Sequence, residues 1–429
     1  MRILVISHNI FSDTESMGKT LSGYFTGWDK EKIAQFYIHS EVPTSDKVCK
    51  NYFRITDIEA LKSVFSRKCG KAFSENDIET ERLSPRTDSG KIADVYQRGR
   101  KRTPLIYLAR NTIWRFSAWN NKALKKWIDH FNPDAVFFAS GDYSFLYRIA
   151  LKIAKKRNIP LVISCMDDYY INNKNKDKFL GNFTHNLFLR QVKKTMEYSG
   201  VALCICDKMS RDYEKIFGIK CRTLHTPSGI GEPLSEEKKN EISYIGNLGY
   251  SRHLQLVEIG KALKELNLPQ GPDKICVYSS EPREEILSHL TEENGIAFRG
   301  QIPYDEVKRV IGSSIAVIHT ESFEKRIADS VRYSVSTKIA DSLASGTCLF
   351  AFGPSNVASF EYLKENNAAV VVTDKNDLKE SLEKLITDKE YRESIEENAV
   401  MLAQKNHSLK KNTELVKNTI EQLIKKPRP

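Results

Sequence analysis

Residues 334–351 read SVSTKIADSLASGTCLFA, and this stretch decides the fold. A helix is predicted to start at Ser336 and Thr337, because small hydroxyl residues favour helix N-termini. Ser345-Gly346 ends it as a C-cap, and the apolar strand 348–351 begins almost at once. A helix followed so closely by a buried strand is typical of an α/β domain.

The start of this helix also has the chemistry of an anion site. Free backbone N–H groups beside Ser336 and Thr337 can hold an anion, and Lys338 in the first turn adds a point charge. Asp341 lies one turn further on the same face, where it can accept a sugar hydroxyl. An ordinary capped helix without a ligand fits the same residues.

Short apolar runs alternate with amphipathic segments on both sides of this stretch. Strands are predicted at 2–7, 135–139, 161–164 and 200–206, and then at 243–246, 274–278, 315–319, 348–351 and 368–372. Helices are predicted between them, for example at 145–156 and 254–266. The alternation predicts an α/β protein whose parallel sheets are covered on both faces.

The length of 429 residues favours two domains rather than one core. Pro, Gly and charge in 226–241 mark a linker. We therefore predict two Rossmann-like domains, residues 1–225 and residues 226–406, with a last helix in 407–429 that returns to the first. The polar stretch 46–102 is predicted to be a partly mobile insertion.

Composition limits the class of protein and of partner. The chain is 40% apolar and carries a formal net charge of +11, which suits nucleotide diphosphates, acidic lipid headgroups or nucleic acid. Eight scattered cysteines without a C-x-x-C pair predict neither a zinc site nor a disulfide framework, and they fit a reducing, cytoplasmic location. The apolar segment 1–7 is too short for a signal sequence, and no run is long enough to span a membrane.

A second glycine-bearing loop follows the predicted strand 243–246. Gly246 and Asn247 lie where a ligand can approach the backbone closely, and Arg252 precedes the next helix. The guanidinium of Arg252 can grip a diphosphate through two N–H groups. A strand-to-helix turn with a solvated arginine is the alternative.

These motifs resemble the C-terminal signature of glycosyltransferase family 4. Residues 341–346 are similar to its E-A-x-A-x-G helix, with Asp341 in place of the Glu that contacts the donor ribose. The first Glu of the family's E-x7-E pattern would fall at Tyr333 and is absent, and Glu321 is a possible substitute for it. Residues 298–307 resemble F-x-G-x-[IV]-P-x-x-E-[VL], which implies that Gln301 and Ile302 receive the nucleotide base.

The resemblance implies a GT-B fold, in which the two domains face a cleft and the C-terminal one binds a nucleotide-sugar. Arg252 and Lys338 would then stabilise the leaving diphosphate without a metal ion or other cofactor, because no D-x-D motif follows a candidate strand. Retention of configuration and a role in surface-polysaccharide assembly are family-level expectations. An epimerase on the same fold and an inactive glycan- or lipid-binding scaffold are the rival hypotheses.

Acceptor-side candidates lie after strands of the first domain. His8 follows the first strand, and Gly18 and Lys19 precede a helix where this fold usually has glycines near the acceptor. Lys19 is not part of a phosphate-binding P-loop, because the first glycine of that motif is missing. Asp167 and Asp168 follow the strand 161–164 and are predicted either to orient the acceptor hydroxyl, with Asp168 catalytic, or to cap a turn.

A basic stretch between 98 and 127 contains no acid and interleaves nine Lys or Arg residues with Trp and Phe. This pattern predicts peripheral contact with an anionic membrane and a glycan or lipid-linked acceptor. Nucleic acid is not expected, because no nucleic-acid-binding motif accompanies the charge. A solvated basic face over core tryptophans is the alternative.

Overall fold

The sheet of the first unit is built around central apolar strands that are buried at every position, such as 3–7 and 135–139. Its eight strands lie in the order β4-β3-β2-β1-β5-β6-β7-β8, and all neighbours are parallel except β3 and β4. Continuous burial of the central strands is what a parallel sheet covered on both faces requires. The strands are β1 (Ile3–Ser7), β2 (Ile33–Tyr37), β3 (Asn51–Arg54), β4 (Lys71–Phe73), β5 (Ala135–Ala139), β6 (Leu161–Cys165), β7 (Val201–Cys204) and β8 (Lys220–Thr223).

Within the part of the chain that the structure describes, seven helices connect the strands of this unit. They are α1 (Ser16–Gly23), α2 (Asp57–Ser66), α3 (Pro104–Phe116), α4 (Lys122–Phe131), α5 (Ser144–Arg157), α6 (Phe179–Ser199) and α7 (Asp207–Phe217). A short 3-10 helix, Lys30–Lys32, precedes β2. The computed structural model describes residues 1–12, 16–43, 45–73, 77, 103–172, 179–234, 237 and 240–425.

The predicted insertion at 46–102 is wrong for its first part. Residues 51–73 supply β3, α2 and β4, and so they extend the sheet at one edge. The sequence did not predict these strands because they contain polar residues. They lie at the edge of the sheet, where strands bury less surface than central ones. Most of the rest of the stretch, including Arg98, Arg100, Lys101 and Arg102, lies outside the described residues.

The second unit contains a six-stranded parallel sheet in the order β11-β10-β9-β12-β13-β14. Its strands are β9 (Ile242–Ile245), β10 (Ile275–Tyr278), β11 (Ile296–Gly300), β12 (Ala316–Thr320), β13 (Cys348–Phe352) and β14 (Val370–Val372). Its helices are α8 (Arg252–Leu266), α9 (Glu284–Leu287), α10 (Tyr304–Ser313), α11 (Lys325–Ser330), α12 (Thr337–Ala344), α13 (Ala358–Glu365), α14 (Leu378–Thr387) and α15 (Lys389–Asn406), with a 3-10 helix at Lys375–Asp377.

The chain divides into one unit of Met1–His225 with Asn412–Pro429 and another of Thr226–Lys411. The last helix, α16 (Leu409–Lys425), places Val416 and Ile420 in the core of the first unit, where both are wholly buried. All eight cysteines are unpaired thiols. No helix among the described residues has the length and apolar character needed to cross a membrane.

Candidate active site

The strand order of the second sheet reverses between β9 and β12. Loops that leave the carboxyl ends of two such neighbouring strands run apart, and ligands of open α/β sheets bind in the crevice between them. Gly246 and Asn247 follow β9, and Glu321 follows β12 directly. The structure therefore brings together two loops that are far apart in the sequence.

Arg252 is joined to Glu321 across this point. Its Nε donates to Glu321 Oε2 at 3.1 Å and its Nη2 donates to Oε1 at 2.7 Å. The side chain of Glu321 is only 4% exposed, whereas that of Arg252 is 18% exposed. The paired guanidinium is thus fixed at the carboxyl ends of β9 and β12, and the alternative of a solvated Arg252 is wrong.

Backbone strain precedes Arg252. Tyr250 and Ser251 both adopt left-handed conformations, with φ of 58° and 57°, although neither is a glycine. Each such residue costs on the order of 1–2 kcal/mol, and this cost is tolerated where surrounding structure fixes a functional group. Here the two residues turn the chain so that Arg252 begins α8 beside Glu321.

Lys338 in the first turn of α12 completes a charged cluster. Its ammonium lies against Gly246, where the methyl group of an alanine would overlap Nζ, and 6.0 Å from the centre of the Tyr244 ring. Although the residue as a whole is exposed, its head group loses water there. This desolvation and the charge of Arg252 lower the pKa of Lys338 to about 8.

We call Arg252, Glu321, Lys338 and Gly246 the donor cluster. It holds two cations and one carboxylate, so one positive charge remains uncompensated when Lys338 is protonated. Burial raises the pKa of Glu321, while Arg252 opposes that shift. The same field reaches His319 on β12, whose pKa falls to about 3 through burial and through the charges of Arg252 and Lys338. An anion that enters this cluster meets a preformed positive field.

The other predicted donor residues lie on the loops after β9 and β11 and at the start of α12. Asn247 uses its own Oδ1 to accept from Gly249 N at 2.6 Å, which shapes the loop. Ser336 caps α12 by accepting from Lys338 N at 3.4 Å, and Thr337 is the first residue of that helix. Gln301 and Ile302 follow β11, which is two strands away from β9, so about 10 Å separates the two strands.

Asp341 is bound within the protein. Its Oδ1 accepts from the hydroxyl of Ser228 at 2.8 Å and from Gly229 N at 2.7 Å. Both donors belong to the segment that the sequence marks as a linker. The carboxylate therefore ties that segment to α12, and any contact with a ribose must use its remaining acceptor capacity.

The first sheet also reverses its strand order, between β1 and β5, and a second cluster lies there. His8 follows β1 and stacks on Tyr143, which follows β5, with ring centres 5.0 Å apart. Its Nδ1 donates to Asn9 Oδ1 at 2.5 Å, because an amide oxygen only accepts. Burial and the nearby charges of His39 and Arg110 lower the pKa of His8 to about 4, so the imidazole is neutral and its Nε2 is an acceptor.

Arg110 and Asp57 support this second cluster, and the sequence did not single them out as site residues. The guanidinium of Arg110 covers the Tyr143 ring at 4.1 Å and forms an ion pair with Asp57 at 2.8 Å. Asp57 also accepts from Trp114 Nε1 at 2.7 Å. In the sequence, an Asp at the start of an amphipathic helix is interpreted as a residue that favours the helix start. Only its contacts with Arg110 and Trp114 in the folded structure reveal its role in this cluster.

Asp168 has the geometry of a turn cap. Its two oxygens accept from three backbone N–H groups of residues 170–172 at 3.0–3.1 Å and from the Tyr213 hydroxyl at 2.6 Å. Four donors occupy a carboxylate that is 7% exposed. This geometry matches the alternative of a turn cap, and the catalytic role of Asp168 stays a prediction. Asp167 Oδ1 accepts from Asp168 N at 2.9 Å and belongs to the same turn.

Gly18 and Lys19 differ in their surroundings within α1. Gly18 is buried, and a methyl group there would meet Ile10 O at 2.6 Å and Ser12 Cβ at 2.7 Å. It thus allows the loop after β1 to pack on the helix, which is a structural reason for a glycine. Lys19 is half-buried on the same helix. Neither residue has a described contact with His8.

The prediction that aromatic residues of the stretch 98–127 lie at a membrane interface is wrong for two tryptophans. Trp114 is wholly buried and stacks on Phe145 at 4.6 Å, and Trp119 is 5% exposed. Their large apolar rings join the core under α3 and do not reach an interface. Phe116, in contrast, is 67% exposed.

Two family models match separate parts of the chain. Residues 64–230 match the family described as Glycosyltransferase Family 4, and residues 243–417 match the one described as Glycosyl transferase-like. The chain is a glycosyltransferase with the GT-B fold. The sequence resemblance is thereby confirmed, for the first unit as well as for the second. No curated protein matches.

Solved structures show that this glycosyltransferase shares its fold with proteins of very different sequence. HepE from Anabaena, in complex with UDP and glucose, has a TM-score of 0.61 at 10% identity and covers 99% of this chain and all of its own. Sucrose-phosphate synthase from Thermosynechococcus elongatus has a TM-score of 0.61 at 11% identity, with 99% of both chains covered. An α,α-trehalose-phosphate synthase (UDP-forming) from Burkholderia vietnamiensis has a TM-score of 0.57 at 12% identity, with 98% and 100% covered.

Proposed function

We propose that this glycosyltransferase transfers a sugar from a nucleotide-diphosphate sugar, with a UDP-sugar as the first candidate, to a glycan or lipid-linked acceptor. The observation that carries the proposal is the donor cluster, where Arg252 and Lys338 surround one carboxylate and leave an uncompensated positive charge. The UDP-containing HepE structure and the UDP-forming synthase support the choice of UDP.

The donor cluster supports a specific mechanism for departure of the nucleotide. Arg252 is held in place by Glu321 before any ligand arrives, so little reorganisation is needed when charge develops on the leaving diphosphate. Lys338 lies beside it as a second cation. Preorganised charges of this kind stabilise a transition state better than mobile ones. We propose that these two residues do the work that a divalent cation does in other transferases.

His8 supports acceptor binding in the first unit. Its neutral imidazole, which is held by stacking on Tyr143, presents Nε2 as a hydrogen-bond acceptor. A sugar hydroxyl can donate to that nitrogen. We propose retention of configuration and a role in polysaccharide assembly, both supported by the family 4 relationship.

The proposal is tested with purified protein, UDP-glucose and excess EDTA. Release of UDP, measured with and without candidate glycan acceptors, is expected to continue in the chelator. The anomeric configuration of the product, read by NMR, tests retention. If activity is lost in EDTA and restored by Mg²⁺ or Mn²⁺, the metal-independent mechanism is wrong. A product that is an epimer of the donor sugar, formed without acceptor, would replace the transferase proposal by the epimerase.

A further inference from the structure

Three neighbouring helices of the first unit are rich in bases and poor in acids, although Arg110 and Arg157 pair with Asp57 and Asp129 from outside them. α3, α5 and α6 pack against one another. Together they contain ten Lys or Arg residues and a single acid, Glu197. Such an imbalance on contiguous helices creates a positive surface potential that attracts a polyanion.

The outward face of α5 shows this charge most clearly. Arg148, Lys152 and Lys155 recur at helical spacing, so they lie on one face. Lys152 sits over the Trp119 ring at 5.3 Å and Lys155 over the Tyr198 ring at 5.5 Å, and neither has an ion-pair partner among the described residues. The face is therefore supported by aromatic rings and not neutralised by carboxylates.

Arg148 is in addition incompletely satisfied. Its Nη2 is buried without a hydrogen-bond partner, and burial together with the charge of Arg115 on α3 lowers its pKa. Two guanidinium groups that repel each other, without a described carboxylate between them, are stabilised by an external anion. A phosphate group near Arg115 and Arg148 would offset their repulsion, although the buried Nη2 itself is out of its reach.

Apolar side chains emerge from the same helices. On α6, Phe179 is 91% exposed, Phe183 48% and Leu187 41%, and the spacing of four residues places them on one stripe. The stripe continues into the exposed bases Arg190 and Lys194. On the neighbouring α3, Leu105 and Phe116 are each 67% exposed.

We propose that the surface formed by α3, α5 and α6 docks on an anionic phospholipid bilayer. Exposed Phe and Leu would enter the headgroup region, and the bases of α5 and α6 would bind lipid phosphates. A bilayer fits better than nucleic acid because the exposed aliphatic and aromatic groups gain by leaving water. This surface differs from the stretch 98–127 that the sequence indicated, since it lies largely on α5 and α6. It is independent of the donor cluster, which belongs to the second unit.

Cosedimentation with vesicles tests the proposal. The full-length protein is expected to bind vesicles of phosphatidylcholine with phosphatidylglycerol, to be released by high salt, and to ignore pure phosphatidylcholine. Arg148→Gln/Lys152→Gln/Lys155→Gln should weaken binding by about tenfold or more, because each base near an anionic surface contributes to the attraction. The matched control Lys379→Gln/Lys389→Gln/Lys405→Gln removes three charges from the second unit and should bind like the wild type.

The apolar stripe is tested separately. Phe179→Ser/Phe183→Ser should also weaken binding by about tenfold, whereas Phe65→Ser, an 88% exposed residue on α2, should not. Release of UDP from UDP-glucose in solution should be unchanged in all these variants, so that a failure of docking is distinguished from a failure of the proposed activity. Phe183→Trp should show a blue-shifted emission with anionic vesicles and Phe65→Trp should not.

Three results would overturn the proposal. One is a wild-type protein that ignores anionic vesicles at low salt. Another is equal weakening by the matched controls, which would mean a nonspecific charge effect. The third is a dimer, detected by light scattering, that Phe179→Ser/Phe183→Ser dissociates, because the stripe would then be covered by a second copy of the chain.

Discussion

The two sheets reverse their strand order in the same way but place opposite chemistry at the reversal. In the second unit the loops after β9 and β12 bring together Arg252, Glu321 and Lys338. In the first unit the loops after β1 and β5 bring together His8 and Tyr143, and the imidazole is neutral. The fold thus supplies two equivalent positions, and the side chains make one suited to a charged ligand and the other to an uncharged one.

Each cluster is held by a carboxylate, Glu321 almost fully buried and Asp57 partly exposed, and the two carboxylates are used differently. Glu321 pairs with Arg252, so removing the carboxylate disturbs the residue that we propose to bind the leaving diphosphate. Asp57 pairs with Arg110, and Arg110 covers the ring of Tyr143. Asp57 therefore acts on the second cluster only through Arg110. We expect mutations in the donor cluster to have the larger effects on rate.

The largest effect is expected from the two cations. Lys338→Ala should lower kcat/KM for the donor about 100-fold, because one charge partner of the leaving diphosphate is lost. Arg252→Ala should do the same, but it also leaves Glu321 buried without its cation, at a cost on the order of 3–5 kcal/mol in the free energy of unfolding. Initial rates of UDP release, together with thermal unfolding, measure both quantities.

The double variant Arg252→Ala/Glu321→Ala separates stability from activity, since it removes the unpaired carboxylate. It should regain stability and remain as slow as Arg252→Ala. Arg283→Ala is the control, because that arginine pairs with Glu281 elsewhere on the second unit. Wild-type rates in Lys338→Ala and in the double variant would remove these residues from the active site.

Glu321→Gln is expected to come next. The amide keeps the shape but cannot hold the guanidinium with two charge-assisted bonds, so Arg252 becomes more mobile. A loss of roughly tenfold in kcat/KM follows from a charged hydrogen bond of about 1.5 kcal/mol. Steady-state kinetics with UDP-glucose and a second UDP-sugar test it. A loss confined to one donor sugar would instead indicate that Glu321 contacts the sugar itself.

The pH dependence of the donor reaction should reveal Lys338. Its pKa is lowered to about 8, so the ammonium is charged below that pH and neutral above it. Because kcat/KM reports groups of the free enzyme, it should fall about tenfold as pH rises from about 7 to about 9. Lys338→Arg should abolish this fall, since a guanidinium remains charged. An unchanged fall in that variant would assign it to another group.

His8→Phe tests the uncharged cluster. The ring still packs on Tyr143, but the Nε2 acceptor is lost, so the acceptor KM should rise about fivefold to tenfold through one hydrogen bond. Hydrolysis of the donor in the absence of acceptor should not change. Since the pKa of His8 is about 4, the acceptor KM of the wild type should be flat between about pH 6 and pH 8. A changed rate of donor hydrolysis would contradict an acceptor-side role.

Sequence patterns were sufficient to predict the fold and to single out Arg252 and Lys338, the two cations of the donor cluster. Buried strands such as β5 and β13 are continuous apolar runs, and the helix start at Ser336 carries its cation within two residues. The pairing of Arg252 with Glu321 could not be predicted, because 69 positions separate them and only the β9–β12 neighbourhood joins them. The exposed apolar stripe on α6 could not be predicted either, because a Phe on an amphipathic helix usually faces the core.

The smallest effect is expected at Asp341. The sequence predicted a ribose contact there, and the structure shows Oδ1 occupied by Ser228 and Gly229. Asp341→Asn keeps one oxygen for these donors but loses the charge, so the donor KM should rise only about twofold to threefold. Ser228→Ala, which removes the hydroxyl donor and leaves Asp341 itself intact, is the matched control. If Asp341→Asn raises the donor KM and Ser228→Ala does not, the carboxylate contacts the ribose. If both variants lower the unfolding temperature and leave the donor KM unchanged, its role is to tie the segment after His225 to α12. At Asp341 a structural bond and a ligand compete for one carboxylate, and these two variants measure which of them prevails.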